Sequence, residues 1–229
     1  MIYIRKAHER GLSNAGWLNS FHTFSFGEYY DEGFMGFDHL RVINEDTVQA
    51  GQGFGTHPHR DMEIISYVVE GELAHRDSLG TGSVIRPGEI QLMSAGTGVS
   101  HSEFNHSKSS PLHFLQIWII PGQAGLKPGY QQITIQKIPN QLILIGSPDG
   151  REGSIVIHQA VDLYAAYCEK GESIQHTFKE GHKGWLQLVK GEVSLNGESL
   201  SAGDGAAIVD VAQIQIDAVT DVEWLLFDM

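Results

Sequence analysis

Apolar positions along this chain come in short runs, not at helical spacing. The clearest are RVINEDTVQ at 41–49, MEIISYVV at 62–69, EIQLM at 89–93 and LHFLQIWII at 112–120. Further runs are QLILI at 141–145, SIVIHQ at 154–159, WLQLVK at 185–190 and VEWLLF at 222–227. They are rich in Val, Ile, Phe, Tyr and Trp, and turn dipeptides such as Asp-Gly, Asn-Gly and Pro-Gly fall between them. Runs of this kind, broken by turns and without long stretches of 3.6-residue periodicity, predict an all-β sandwich or barrel.

An internal repeat refines that expectation. YVVEGEL at 67–73 recurs in kind as QLVKGEV at 187–193, and each is followed by a Gly-acidic turn and a strand, PGEIQLM at 87–93 and AGDGAAI at 202–208. Strand, Gly-Glu corner, strand and Gly-acidic turn make a double-stranded β-helix pattern, so the repeat predicts two such barrels in tandem. The segment PGQAGLKPGYQQ at 121–132 has two Pro-Gly-type turns and little to bury. It places the boundary between an N-terminal barrel at 1–125 and a C-terminal barrel at 126–229.

Length and charge narrow the partners. A chain of 229 residues can bury a substantial core. Its formal charge of −13 is spread without runs of like sign, and such a surface repels a phosphate backbone, which disfavours direct nucleic-acid binding. The opening MIYIRKAHER reaches Arg5 and Lys6 before any signal-peptide core can form, and no apolar stretch is long enough to span a membrane. Cys168 is the only cysteine, so no intrachain disulfide can form, and it reads as a small buried apolar residue. The expectation is a soluble, cytoplasmic protein.

The candidate chemistry lies in GFGTHPHRDMEIISYVVEG at 53–71. With twelve histidines in the chain, one His-x-His pair could arise by chance. A second pair with the same spacing, His101-x-Glu103 in SAGTGVSHSEFN at 94–105, makes coincidence a poor account. Side chains alternate across a strand, so His57 and His59 share one face, as do His101 and Glu103. If the two strands are neighbours in one barrel, four ligands converge. Three neutral imidazoles and a carboxylate suit one divalent first-row transition metal such as iron, copper, nickel, manganese or zinc. Surface histidines on a hairpin, or a closed structural zinc site, are the competing readings.

These residues also carry a family resemblance. GFGTHPHRDMEIISYVVEG resembles the first cupin motif, with Gly51, His57-x-His59 and Glu63 in order, and GTGVSHSEFN resembles the second, with Gly98, His101 and Asn105. GWLNSFHTFSFGEYYDEGFMGFDHLRVINEDTV at 16–48, with GTHPHRDMEI and MSAGTGVSHSEF, is similar to the pirin family of two-barrel cupins. The close likeness covers about residues 2–120. Seven residues, not six, separate Glu63 from Gly71, and Gly96 stands where the second motif usually has Pro. In many cupins the first-motif glutamate binds metal, which would nominate Glu63. The pirin pattern instead implies His57, His59, His101 and Glu103, leaving Glu63 as a supporting residue or as a partner for Arg60 or a backbone amide.

The resemblance implies a metal-dependent dioxygenase that cleaves a flavonol such as quercetin and releases carbon monoxide, with dioxygen and a flat aromatic molecule as partners. Glu103 would be ligand and candidate proton acceptor. It implies a rival of another class, a redox-responsive regulatory protein whose metal alters a protein-binding surface.

The second half lacks the equipment. Aligning Gly71 on Gly191 puts Thr177, Lys179 and Lys183 where His57, His59 and Glu63 stand, and aligning the Gly-acidic turns puts Ile216 opposite His101. A metal-free C-terminal barrel is expected. His176 and His182 are not strand-spaced, and His158 reads as a hydrogen-bonded strand histidine. In FHTFSFGEYY at 21–30, Phe24 and Phe26 would share a face as core or seam, or else wall a pocket over the metal.

Overall fold

The computed structural model describes all 229 residues. It is built of strands, with two short 3₁₀ turns at Ala7–Glu9 and Arg151–Gly153, and no helix is long and apolar enough to cross a membrane. The apolar runs become strands Leu40–Val48, Glu63–Glu70, Glu89–Ser94, Leu112–Ile119, Gln141–Ser147, Gly184–Lys190 and Val222–Asp228. The run at 154–159 yields only Ile155–Val156, and His158 lies beyond it in a bend.

Two compact units form. One comprises Gly11–Ile135 with Ile155–Gln159, the other Met1–Arg10, Gln136–Ser154 and Ala160–Met229. In the first unit one sheet runs Gly129–Thr134, Glu89–Ser94, Glu63–Glu70, Leu112–Ile119, Leu40–Val48, Leu18–His22 and Gly11–Asn14. The second sheet of this unit runs Gly53–His59, Val99–Asn105, Leu73–Asp77 and Gly82–Ile85. All of these pairings are antiparallel.

The other unit repeats the plan. Its larger sheet contains Ile2–Arg5, Gly205–Ile208, Gly184–Lys190, Val222–Asp228, Asp162–Cys168 and Gln141–Ser147 in that order. Its smaller sheet runs Ser173–Thr177, Gln213–Ala218, Glu192–Leu195 and Glu198–Ser201. The repeat read from the sequence therefore corresponds to two barrels of the same strand order. Its corner glycines have a physical reason. Gly71 and Gly191 both take positive φ, at 86° and 80°, and a Cβ there would fall 2.8 Å from Pro111 O and 2.4 Å from Asp221 O. Only glycine fits both demands.

The two interiors differ. In the C-terminal unit Leu188, Leu195, Ile214, Ile216, Trp224 and Leu226 fill the barrel with fully buried apolar side chains. Each contributes about 1.5–3 kcal/mol relative to exposure. In the N-terminal unit apolar clusters such as Val48, Val68, Leu73, Ile85, Leu112 and Phe114 leave room for buried polar groups, including Asn44, Asp46, Ser66, His101, Glu103 and Gln116. A barrel interior that keeps so many polar side chains away from water must satisfy them internally or hold a ligand.

Candidate metal centre

Strands Gly53–His59 and Val99–Asn105 pair antiparallel, with His101 directly opposite His57 and Val99 opposite His59. The ring centroids of His57, His59 and His101 lie 4.5–4.9 Å apart, and their candidate donor atoms all fall within 4.8 Å of one another. Nδ1 of His57 lies 2.8 Å from Gly55 O, so this nitrogen carries the proton and Nε2 keeps its lone pair. His101 is buried, and its Nε2 has no hydrogen-bond partner. An orphaned imidazole nitrogen beside two other imidazoles is a donor set that fits a metal ion.

The electrostatics favour neutral rings. Burial, followed by the neighbouring His101 and His57, lowers the pKa of His59 to about 4. Burial, with His57 and His75 next, lowers that of His101 to about 3. Metal must compete with protons for imidazole lone pairs, and here protons are held off at neutral pH.

Glu103 falls in an overlapping cluster with His101 and His75, again within 4.8 Å. It is buried, accepting from Ser66 Oγ at 3.0 Å and Gln116 Nε2 at 2.6 Å. His75 is the residue that sequence reasoning missed. It stands opposite Glu103 on Leu73–Asp77, places Nδ1 3.4 Å from His101 Nδ1, and bonds Asp77 through Nε2 at 3.0 Å. A signal was there: His75-x-Asp77 has the spacing of the other two pairs.

Glu63 lies in neither cluster. It is buried and accepts from Ser94 Oγ at 3.1 Å, from the His158 backbone N–H at 3.2 Å and from His158 Nδ1 at 3.1 Å. Of the partners expected for it, the backbone amide is found, whereas Arg60 pairs with Asp61.

Beside His57 and His59 opens a cavity of about 390 Å³, walled by Leu18, Phe26, Phe54 and Trp118. Trp118 stands edge-on to His59 at 5.1 Å and to Phe26 at 5.3 Å. Phe24 and Phe26 do not act as a pair: Phe24 is buried core, while Phe26 walls the cavity. The polar wall holds His22, bonded to Asn44 Oδ1 and Ser13 Oγ at 2.8 Å each, together with Ser20, Asp46 and Gln116.

Comparison with known proteins places this architecture. A family model described as "Pirin" matches residues 4–119, and one described as "Quercetinase C-terminal cupin domain" matches 144–229. This chain belongs to the pirin family. A protein named quercetin 2,3-dioxygenase from Escherichia coli (strain K12) is 50% identical over all of this pirin and 99% of its own length. The crystal structure of YhhW from Escherichia coli has a TM-score of 0.98 at 51% identity, covering 100% of this pirin and 97% of that chain. A second structure, of the bacterial pirin YhhW in complex with nickel(II), has a TM-score of 0.96 at 51% identity, covering 100% and 99%. The family implies a divalent metal, and the donor set of this pirin fits one: three imidazoles with donor atoms within 4.8 Å of one another, the buried Nε2 of His101 unpartnered, and the Glu103 carboxylate in an overlapping cluster.

In the C-terminal unit of this pirin His176 and His182 come together despite their spacing. Nε2 of His176 lies 2.9 Å and Nδ1 of His182 2.5 Å from the two oxygens of buried Asp228. Ile216 is fully buried among apolar neighbours.

Proposed function

We propose that this protein is a metal-dependent dioxygenase that cleaves a flavonol such as quercetin, with His57, His59, His101 and Glu103 holding one divalent transition metal in the N-terminal barrel and no metal in the C-terminal one. Iron is the ion we favour. The observation that carries the reading is the aromatic-walled cavity beside His57 and His59. Its volume of about 390 Å³ falls in the range of small-molecule sites. A sensor that works through its surface has no need of such a space.

The bound metal would supply positive charge to stabilise the substrate's ionised 3-hydroxyl and so leave the ring electron-rich toward dioxygen. The chain does the rest. Phe26, Phe54 and Trp118 give a flat ring apolar walls and exclude water. His22, held by Ser13 and Asn44, offers a fixed polar edge for substrate hydroxyls. Both atoms of dioxygen enter the product, a depside, and one ring carbon leaves as carbon monoxide.

The test is quercetin consumption in air by metal-loaded protein, with carbon monoxide measured and metal content determined. We expect saturable turnover, one ion per chain, and neither activity nor tight metal binding in His57→Ala or His101→Ala. Loss of quercetin that tracks free metal, or absence of carbon monoxide, overturns the reading and passes the site to the redox-responsive interaction reading.

A further inference from the structure

Asp46 lies on Leu40–Val48, between Ser20 and Phe114 in register, and lines the same cavity as His57 and His59. Its residue exposure is 3%, yet its Oδ1 has no hydrogen-bond partner. Buried acceptors are seldom left unpaired, and one in the wall of a substrate-sized cavity is placed for what the cavity receives. The indole Nε1 of Trp118, in the same wall, is also unpartnered. Glu103 is differently placed. Ser66 and Gln116 already donate to its two oxygens and fix its orientation, which suits a ligand more than a group that must collect a proton.

We propose that Asp46 is a catalytic residue, the base that takes the hydroxyl proton of the incoming flavonol, while Glu103 stays with the metal. This inference rests on the dioxygenase reading above. In the step, the substrate O–H bond breaks, a new O–H bond forms at Asp46 Oδ1, and the electron pair remains on the substrate oxygen. Negative charge passes from the buried carboxylate to the substrate oxygen, where the positive charge of a bound metal would stabilise it. No oxidant is involved. Burial, partly offset by the Ser20 hydroxyl, aided by Glu103 and Glu45 and opposed by His113, brings the Asp46 carboxyl up to about 7. A base is most effective when its pKa lies near the working pH.

The test uses nickel(II)-loaded protein, wild type and Asp46→Asn. Three readouts are needed: nickel titration, anaerobic quercetin binding followed by the absorbance of the ionised flavonol across pH, and aerobic turnover. The variant should bind nickel as wild type does, ionise bound quercetin only at a pH at least about one unit higher, and lose about 100-fold in kcat. Asp46→Ala should behave likewise and regain turnover with added formate, which can act as an external base but cannot repair a merely structural loss. Ionisation at the wild-type pH, or turnover within about threefold of wild type, overturns the assignment. Failure of the wild-type protein to bind or consume quercetin overturns the dioxygenase reading itself, and the role of Asp46 with it. Should Asp46→Asn fail to fold, the formate arm on Asp46→Ala decides.

Discussion

Nε2 of His75 lies 3.0 Å from Oδ2 of Asp77, and neither side chain touches solvent. Burial alone would raise the Asp77 carboxyl, but His75 and the backbone N–H groups of Thr81 and Leu79 together hold it below its ordinary range. An ionised Asp77 fixes the His75 proton on Nε2. Nδ1 of His75 is then the acceptor facing His101 Nδ1 at 3.4 Å, which leaves the unpartnered Nε2 of His101 with its lone pair free for the proposed metal. Groups that orient a ligating imidazole in this way commonly contribute 10- to 100-fold to metal affinity. His75→Ala and Asp77→Asn should therefore each weaken nickel(II) binding by about that factor in calorimetric titration, with the stoichiometry unchanged. Wild-type affinity in both would remove the relay.

The two buried glutamates should separate cleanly. Glu103→Gln keeps the shape and the Ser66 and Gln116 neighbours but removes the carboxylate proposed as an anionic ligand, so metal affinity should fall at least about tenfold. Glu63→Gln disturbs the contacts to Ser94 and His158 and should leave metal affinity within about threefold. Equilibrium dialysis on both variants decides the matter, and a larger loss in Glu63→Gln would reverse the ligand assignment.

Acid should loosen the metal-free protein through its histidines. The fold holds His59 and His101 at about 4 and about 3, against an ordinary 6.5. As pH falls below 6.5 the unfolded chain takes up these protons before the native one does. The stability these rings contribute is thus present above pH 6.5 and lost progressively as pH falls toward 3. The melting temperature of the metal-free protein should drop between pH 7 and pH 4, and His59→Gln should drop less. Parallel curves would show that other groups set the slope.

Asp46 carries the opposite sign. Its carboxyl is raised from 3.8 to about 7, so stability is fully present below pH 3.8 and lost as pH rises through 7. A shift of this size corresponds to about 4 kcal/mol at alkaline pH. Asp46→Asn, free of that penalty, should resist urea better than wild type at pH 8.5 and lose more than half of the advantage by about pH 5. Equal midpoints at both pH values would refute the raised carboxyl.

Removing the aromatic wall should affect substrate more than metal. Trp118→Ala deletes the ring that stands edge-on to both His59 and Phe26, and KM for quercetin should rise about tenfold while nickel(II) affinity stays within about threefold. Trp118→Phe should recover most of the loss. A KM that does not move would place the flavonol elsewhere.

Much of this was legible in the sequence, for a physical reason. Strands such as Glu63–Glu70 and Leu112–Ile119 are buried along nearly their whole length, so they read as continuous β-branched and aromatic runs. Gly53–His59 and Leu73–Asp77 were not read as strands from apolar content, because GFGTHPH and LAHRD have little of it. Their inward positions hold imidazoles and carboxylates. The ligand pairs could be found because two-residue spacing survives any composition. His75 was overlooked although it shares that spacing, since nothing in the sequence says which strand lies beside Val99–Asn105. Asp46 lay inside a predicted strand, with Val42, Asn44 and Val48 on the same face. What the sequence could not supply was the cavity that those alternating polar positions enclose.

The strand Ile2–Arg5 pairs with Gly205–Ile208, so two strands that lie far apart along the chain share one sheet edge. At roughly 5–20 residues per second of synthesis, Ile2–Arg5 waits on the order of tens of seconds for its neighbour, while Gly11–Ile135 can already close. Expressing residues 126–229 alone would leave Gly205–Ile208 with one unpaired edge, open to another molecule. A fragment made to isolate the second barrel should therefore carry the first ten residues, supplied in trans or joined by circular permutation.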